Sequence, residues 1–220
     1  MDWFSNVLPP LLKGAALTLG LTLASGALGL AISFAVGLTR ETRFRALRWL
    51  LGVYVQIFRG TSGLVQLFFA FYVLPAFGLY LPALLAGIAV LALNTGAYGS
   101  EIVRAGVAAV DPGQHDAAVA LNMRSETAMR RIILPQAVIQ MIPPFANLLI
   151  ELLKGTSLVS LIAITELAFA GRQVISAGAQ APQVYAAVLI IYYLLAIPIT
   201  RGGGYLEGRL SQRLRLGRPE

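Results

Sequence analysis

Long apolar segments alternate with short polar ones along this chain. Five mainly apolar segments of about 20 residues occupy roughly 14–38, 52–76, 82–103, 134–153 and 183–200. A helix of that length crosses the hydrocarbon core of a bilayer, which is about 30 Å thick, because each residue adds about 1.5 Å. The pattern predicts an all-α integral membrane protein in which residues 1–220 form one domain with about five transmembrane helices.

A sixth apolar stretch, 157–170, is too short to cross a bilayer alone. Lys154-Gly155 precedes it and Gly171-Arg172 follows it. We therefore expect a partial or re-entrant helix, which a membrane protein tolerates where the segment is buried or lines a cavity.

Two further patterns concern helix geometry and packing. Pro143-Pro144 removes two backbone donors from span four, so that span should kink or break there. On span one, Ala16, Gly20 and Ala24 recur every four residues and would let another helix approach closely. That second helix could belong to the same subunit or to another one.

The amino-acid composition indicates that the chain is surrounded by lipid rather than by water. Hydrophobic residues make up 57% of the chain and charged residues only 12%, about half the usual share of a soluble domain. The net charge of +7 could suggest nucleic acid, but the arginines cluster beside apolar spans, which favours membrane topology instead. Residues 1–12 contain no basic signal-peptide region, so we expect the first span to stay in place. The absence of cysteine excludes disulfides and thiolate metal sites.

The distribution of basic residues predicts the orientation. Thirteen arginines fall on one side of a five-span model, which places the N-terminus outside and the C-terminus in the cytoplasm. They are Arg40, Arg43, Arg45, Arg48, Arg104, Arg124, Arg130, Arg131, Arg201, Arg209, Arg213, Arg215 and Arg218. The other four basic residues, Lys13, Arg59, Lys154 and Arg172, lie on the opposite side or within spans.

A polar segment, DPGQHDAAVALNMRSETAMRRIILPQA (111–137), separates spans three and four. Asp111-Pro112-Gly113 is typical of a turn, and a short helix is expected from Gln114 to Met123, on which Ala117, Ala118 and Leu121 share one face. Ser125 is a candidate N-cap for a second short helix. The residues alone are compatible with a helix that docks into a partner's groove or with a packed surface loop.

Polar residues inside the spans are candidates for a solute pathway, because such groups are costly in a membrane. Asn94 and Glu101 share one face of span three, and Arg104 lies one turn beyond Glu101. An ion pair of Glu101 with Arg104 or with a loop arginine is the alternative to a role in transport.

A second candidate group, Asn147, Glu151 and Lys154, lines one face of span four. Glu151 could offer its carboxylate to a cationic group of a solute, or it could form an ion pair with Lys154 at the membrane interface. Both interpretations remain open at this point.

The stretch Arg59 to Gln66 supplies hydroxyl and amide groups near one end of span two. It could line the pathway or cap a broken helix, and the helix breakers Gly60 and Gly63 favour capping. The chain's one histidine, His115, lacks the second ligand that a metal site needs, so we expect it to make a polar contact on the short helix.

Several segments resemble ABC-importer permeases of the polar amino-acid uptake family. The similar segments are RGTSGLVQLFF (59–69), AYGSEIVRAGV (97–107), GQHDAAVAL (113–121), RRIILPQA (130–137), LLKGTSLVSLIAITEL (152–167) and YLEGRL (205–210). The polar segment resembles the family's cytoplasmic EAA loop, with Asp116-Ala117-Ala118 at the Glu-Ala-Ala positions and Leu134-Pro135 at its close. Two departures are Asp116 in place of the usual Glu and Asn122 in place of the usual Gly, although Asn tolerates the left-handed conformation.

The resemblance implies a type I ABC-importer permease fold with a cytoplasmic coupling-helix loop at about 108–132. This loop would insert into a nucleotide-binding subunit and transmit ATP-driven closure to the membrane helices. The implied coupling residues are Gly113, Gln114, Asp116, Ala117, Ala118, Leu121, Asn122 and Pro135. The candidate pathway residues come from the spacings above and not from the resemblance, which leaves Glu151 unassigned; they are Gln66, Asn94, Glu101, Asn147, Glu151 and Lys154.

The resemblance also implies a set of partners. These are two ATP-binding cassette subunits that hold ATP and Mg, a second identical or homologous permease, a periplasmic or lipid-anchored solute-binding protein, and the lipid of a bacterial inner membrane. The chain itself is not expected to be an enzyme or to bind a cofactor, metal or nucleic acid. A P-loop needs Gly-Lys-[Ser/Thr], and both lysines, Lys13 and Lys154, follow leucine.

The competing hypothesis is a stand-alone secondary transporter or channel. That class predicts inverted repeats with matching broken helices, and no internal repeat is visible in the sequence. It would also leave the short helix of the polar segment without a purpose. The importer is therefore the favoured interpretation, with a polar amino acid or a related zwitterion as its solute.

Overall fold

The computed structural model describes residues 3–39 and 44–214, and every regular element within them is helical. The α-helices are α1 (Leu8–Thr39), α2 (Arg45–Gly60), α3 (Gly63–Phe68), α4 (Ala83–Ala108), α5 (Pro112–Ala120), α6 (Ser125–Ala128), α7 (Leu134–Gly155), α8 (Leu167–Ser176) and α9 (Ala181–Leu214). Short π-helical or 3-10 turns extend them at Trp3–Val7, Phe69–Val73, Leu74–Phe77, Met129–Ile133 and Thr156–Ile162. The predicted all-α class is confirmed. Of the thirteen clustered arginines, Arg40, Arg43, Arg215 and Arg218 lie outside the described residues.

Four helical segments of the described chain are long and apolar enough to cross a membrane. They are Ser5–Thr39, Ala83–Ala108, Ser125–Ile162 and Ala181–Gln212. A bent pair, Arg45–Gly60 and Gly63–Phe77, brings the number to five if it counts as one span. The five apolar segments of the sequence therefore correspond to the long helices, although most of the helices extend beyond the predicted limits.

Span two, predicted as one segment over 52–76, is broken. α2 and the helix that begins at Gly63 meet at an angle of 108°. Thr61 and Ser62 between them have extended backbone conformations, with ψ of 156° and 132°. Two glycines flank this break, which weakens the helix on both sides of it. Apolar character alone could not reveal the bend, because both arms are apolar. We call residues 58–63 the elbow.

Two expectations about the fourth span and its continuation need correction. The predicted break at Pro143 and Pro144 does not occur, and α7 continues through both as one helix, since two prolines remove only two hydrogen bonds from a 22-residue helix. The stretch 157–170 is not one partial helix. A 3-10 turn, Thr156–Ile162, continues α7, and α8 starts only at Leu167 after a left-handed Ala163.

α8 is anchored by a buried carboxylate that the sequence analysis did not single out. Glu166 is fully buried, and its side chain accepts hydrogen bonds from the backbone nitrogens of Ala168 and Phe169 at 2.9 and 2.8 Å. The hydroxyl of Tyr192 on α9 donates to the same carboxylate at 2.7 Å. Thr18 on α1 accepts from the Leu167 nitrogen at 3.2 Å. These bonds join α1, α8 and α9 through one satisfied polar cluster, as a buried charge requires.

Glycines bring α1 and α4 into close contact over most of their lengths. A Cβ on Gly29 would lie 2.9 Å from the Thr95 Cβ, and a Cβ on Gly37 would lie 2.7 Å from the Val103 Cβ and 2.9 Å from the Ser100 carbonyl oxygen. Between these positions the Ser33 hydroxyl donates to the Gly29 carbonyl at 2.6 Å. Small residues allow two helix backbones to approach in this way.

The small residues that were predicted to pack, Ala16, Gly20 and Ala24, lie on another face of α1. Ala16 and Gly20 are exposed, Ala24 is half-buried, and nothing lies within 4 Å of a Cβ built on Gly20. The contact within the subunit is made by the stripe through Gly29, Ser33 and Gly37 instead. Every-fourth-residue spacing is the same for both stripes, so the sequence alone could not decide between them.

We predict that Gly37→Ala destabilises the protein, because its new methyl group would overlap the Val103 side chain and the backbone of α4. Overpacking of this kind costs about 1–3 kcal/mol. The thermal unfolding midpoint of detergent-purified protein measures the effect. Gly20→Ala, which adds the same methyl group to an open face of the same helix, is the control and should leave the midpoint nearly unchanged. Equal shifts for both variants would contradict the packing described here.

Candidate functional site

Two adjoining cavities lie between α4 and α7, the larger closed by the end of α2 and the smaller by α3. The larger has a volume of about 580 Å³ and the smaller about 220 Å³. Tyr98, Leu148 and Glu151 line both. The larger cavity is also lined by Arg59, Glu101, Gln140 and Asn147, and the smaller by Gly63, Leu67, Asn94, Thr95 and Leu158. Four of the six predicted pathway residues, Asn94, Glu101, Asn147 and Glu151, therefore meet at one place.

Glu101 is held by two arginines at the edge of the larger cavity. Its carboxylate lies 2.9 Å from the Arg104 Nε and 3.9 Å from the Arg59 guanidinium. The predicted pairing of Glu101 with Arg104 is confirmed, and Arg59 is an additional partner. Arg59 also stacks over the Tyr98 ring, with its guanidinium carbon 5.5 Å from the ring centroid. The Arg59 guanidinium thus lies at the cavity wall. Its ion pair with Glu101 is long, at 3.9 Å.

Glu151 occupies the junction of the two cavities without a cationic partner among the described residues. The alternative ion pair with Lys154 is not formed there. Glu151 and Asn147, which lie on the same face of α7, line the larger cavity, whereas Lys154, one turn further, lines neither cavity. The three residues were expected to act together, but the structure brings only two of them to the site.

The elbow forms one end of the smaller cavity, and Gln66 caps it. The Gln66 Nε2 donates to the carbonyl oxygens of Phe58 and Thr61 at 2.9 and 3.3 Å, and to the Thr61 hydroxyl at 2.9 Å. Asn94 on α4 donates to the Phe58 carbonyl at 3.3 Å and to the Gln66 Oε1 at 3.1 Å. The capping interpretation of this stretch is confirmed. Gln66 itself lines neither cavity.

The polar loop between the third and fourth long helices forms a compact helical turn. Asp111 caps α5, since its carboxylate accepts from the Gly113 nitrogen at 2.7 Å, and the helix therefore begins at Pro112 rather than at Gln114. Asn122 has a φ of +52°, the left-handed conformation that a glycine would adopt at this position. The Met123 nitrogen donates to the Ala118 carbonyl at 3.0 Å and closes the turn. Ser125, the proposed N-cap of α6, makes no side-chain cap, because the helix starts at Ser125 itself.

The exposed surface of α5 differs from the face expected from the sequence. Ala118 is 2% exposed and packs inward, whereas Leu121 and Val119 are 74% and 66% exposed. Gly113, Gln114, Asp116, Ala117, Asn122 and Pro135 are also exposed, as is His115. Ala118 therefore belongs to the contact of the loop with its own chain. Helical spacing identified which residues are neighbours but not which side of them the rest of the protein would cover.

The described residues contain no cluster of His, Cys, Asp or Glu that could hold a metal ion. The polar groups of the two cavities instead comprise one arginine, two carboxylates, amides, a phenol and a threonine hydroxyl. Such a set can bind a small polar molecule that carries both charges, with no covalent chemistry required.

Comparison with known proteins places these features in a family. Residues 27–212 match the family of binding-protein-dependent transport system inner membrane components. The probable amino-acid ABC transporter permease y4tF of Sinorhizobium fredii is 43% identical over 206 residues, which cover 91% of this chain and 86% of that protein. The L-cystine transport system permease TcyB of Bacillus subtilis is 37% identical, over 93% of this chain and 88% of that protein.

Solved structures show the same architecture. A chain of an amino acid ABC transporter crystallised with histidines aligns with a TM-score of 0.87 and 32% identity, over 95% of this chain and 99% of that one. An inward-facing chain of the MetNI methionine ABC transporter aligns with a TM-score of 0.80 at 20% identity. At this low identity the match shows a shared fold and nothing more.

We predict that Asn122→Val destabilises the loop, because a β-branched residue pays about 1–2 kcal/mol in the left-handed conformation. Asn122→Gly should be tolerated fully, since glycine adopts this conformation without a steric cost. Proteolysis of the loop in detergent-purified protein measures its local stability. Faster cleavage of Asn122→Val than of the wild type and Asn122→Gly is expected, and equal rates for the three proteins would show that the conformation of residue 122 carries no strain.

Proposed function

Because the chain belongs to the family of binding-protein-dependent transport system inner membrane components, we propose that it is the transmembrane subunit of an ATP-driven importer of a polar amino acid or a related zwitterion. This proposal rests on the pair of adjoining cavities, with Arg59 on one wall and, at their junction, Glu151, which has no cationic partner among the described residues. A zwitterion can satisfy both groups at once, with its carboxylate on the guanidinium and its ammonium on the carboxylate.

Energy for import comes from a separate subunit. α5 presents an exposed apolar surface, Val119 and Leu121, on a loop whose other side is fixed to the protein by Ala118. A short helix of this kind can be seated in a groove of an ATPase. The loop continues through α6 directly into α7, which carries Asn147 and Glu151. Movement of α5 by the ATPase would therefore be transmitted along one helical segment to the cavities.

The assembly that we propose contains two ATP-binding cassette subunits, which hold ATP and Mg, and a second permease, identical or homologous to this one. A solute-binding protein, periplasmic or lipid-anchored, delivers the solute from outside. The chain spans the bacterial inner membrane with its N-terminus outside and its C-terminus in the cytoplasm, an orientation that the arginine distribution supports. It places α5 and the ATPases on the same side of the membrane.

Family membership favours this function over a stand-alone secondary transporter or channel. The curated relatives at 43% and 37% identity are both described as transport-system permeases. The alternative would also leave the exposed apolar residues of α5 facing water.

We predict that Leu121→Arg releases the ATPase subunits, because a bulky charge replaces the exposed apolar side chain of the residue that ends α5. Central apolar contacts of an interface typically contribute about 1–4 kcal/mol each. Co-purification of the ATPase subunit from membranes measures the effect. Glu126→Arg, on the neighbouring α6, is the control: within the described part of the chain this exposed residue forms an ion pair with Arg130 alone, so its complex should remain intact. Intact co-purification of Leu121→Arg would exclude α5 as the coupling element.

We predict that Glu151→Gln weakens solute import, because it removes the negative charge that pairs with the solute ammonium. A lost charge-assisted hydrogen bond of about 1.5–3 kcal/mol corresponds to a decrease in kcat/KM of roughly tenfold to a hundredfold. Uptake of a panel of radiolabelled polar amino acids into proteoliposomes that contain the complete importer is the measurement. Lys154→Gln, one turn along α7 and outside both cavities, is the matched control and should import normally. Unchanged uptake by Glu151→Gln would remove this residue from the solute site.

A further inference from the structure

Arg59, which would bind the solute carboxylate, has open space on two sides. Its side chain is 45% exposed and lines the larger cavity. It also lines a further recess of about 400 Å³ beside Val55 and Gln56 of α2. A long side chain with this much room can adopt several rotamers. One of them has to be stabilised if the guanidinium is to stay at the solute cavity.

The ion pair with Glu101 does not hold the Arg59 guanidinium in contact. Glu101 Oε1 lies 3.9 Å from Arg59 Nη1, whereas a charge-assisted hydrogen bond between such groups spans about 2.7–2.9 Å. The shorter contact of this carboxylate is with Arg104, whose Nε lies 2.9 Å from Glu101 Oε2. Glu101 therefore attracts Arg59 from a distance at which no hydrogen bond forms between them.

Tyr98 makes two contacts with Arg59. The guanidinium carbon lies 5.5 Å from the centroid of the Tyr98 ring, within the range of a cation–π interaction. The Tyr98 hydroxyl donates to the Arg59 carbonyl oxygen at 3.4 Å. One aromatic side chain thus contacts both the charged end of Arg59 and the backbone from which that side chain projects.

Tyr98 and Glu101 compete for the same guanidinium. They are three residues apart on α4 and therefore lie on one face of it, about one turn apart. Without the Tyr98 ring, Coulomb attraction would draw the guanidinium along this face towards the Glu101 carboxylate. A close Arg59–Glu101 pair would then exclude the solute carboxylate from Arg59.

We infer that Tyr98 is a positioning residue, which holds the Arg59 guanidinium apart from Glu101 and so keeps it available to the carboxylate of the solute. Tyr98 also lines the larger cavity, but in this role it acts through Arg59. The inference rests on the proposed function, because it concerns the carboxylate end of the same solute site.

The test compares an amino acid with the amine that lacks its α-carboxylate, because only the amino acid can use Arg59. The pair is chosen for the amino acid that the wild type imports fastest into proteoliposomes: arginine with agmatine, histidine with histamine, or glutamine with 4-aminobutanamide. Dissociation constants are measured on the purified permease–ATPase complex without the solute-binding protein, so that the selectivity of that protein does not contribute. The wild type should bind the amino acid more tightly than the amine.

Tyr98→Leu should weaken binding of the amino acid about two- to fivefold, as expected for a lost cation–π interaction, and leave binding of the amine unchanged. Tyr98→Met also removes the ring and should behave in the same way. Tyr98→Phe keeps the ring and loses only a long hydrogen bond, so its affinity should stay within about twofold of the wild type. Tyr193→Leu, at an exposed tyrosine of α9 outside both cavities, is the control and should leave both affinities unchanged.

Four results would overturn the inference. Equal weakening of the amino acid and the amine by Tyr98→Leu would indicate a structural role or a direct contact of the ring with the solute. Equal weakening of the amino acid by Tyr98→Phe and Tyr98→Leu would indicate that the hydroxyl itself binds the carboxylate. The third result is wild-type affinity in both ring-deleting variants, and the fourth is failure of both to assemble with the ATPase.

Each of these results leaves the proposed function intact as long as the wild-type importer moves amino acids into proteoliposomes. A wild type that imports amino acids but binds them no better than their amines would remove Arg59 as the carboxylate site, and the inference with it. Failure of the wild type to import any amino acid would instead overturn the proposed function, together with the inference that depends on it.

Discussion

The close approach of α1 and α4 is the contact on which the rest of the structure depends. Gly29 and Gly37 have no side chain because the partner helix occupies the space where one would be. This close approach fixes the position of α4 against α1. Asn94, Tyr98 and Glu101 lie on the other faces of α4, towards the elbow and α7. The positions of both cavities therefore follow from a helix contact that contains no functional side chain.

A second constraint is that backbone polar groups in an apolar medium need partners. The chain breaks regular helix at the elbow and before α8, and in both places side chains compensate. Gln66 and Asn94 satisfy the elbow, while Glu166 satisfies the first nitrogens of α8 and is itself paired with Tyr192. At the elbow one of these residues, Asn94, also lines the smaller cavity, so a group that stabilises an irregular backbone also contributes to the polarity of the cavity wall.

The cavities and the polar loop are connected by one helical segment. α6, the π-helical turn and α7 form a continuous segment from Ser125 to Ile162, with α5 packed at one end through the buried Ala118 and the cavity-lining Asn147 and Glu151 on α7. Because α7 passes through Pro143-Pro144 without a break, the loop and the cavity wall are joined by a single helix.

The sequence by itself determined the membrane class, the long helices, the polar loop and the family, because apolar length and local motifs are properties of contiguous residues. It also identified the Glu101–Arg104 pair and the capped elbow, since both use neighbours along the chain or helix breakers. Only the tertiary structure decided that span two bends by 108°, that Ala118 faces inward, that Gly20 contacts no other helix of the described chain, and that Glu151 lines one cavity with Asn94 and has no cationic partner among the described residues. Each of these depends on which surface a distant segment covers, and spacing along one helix carries no information about that.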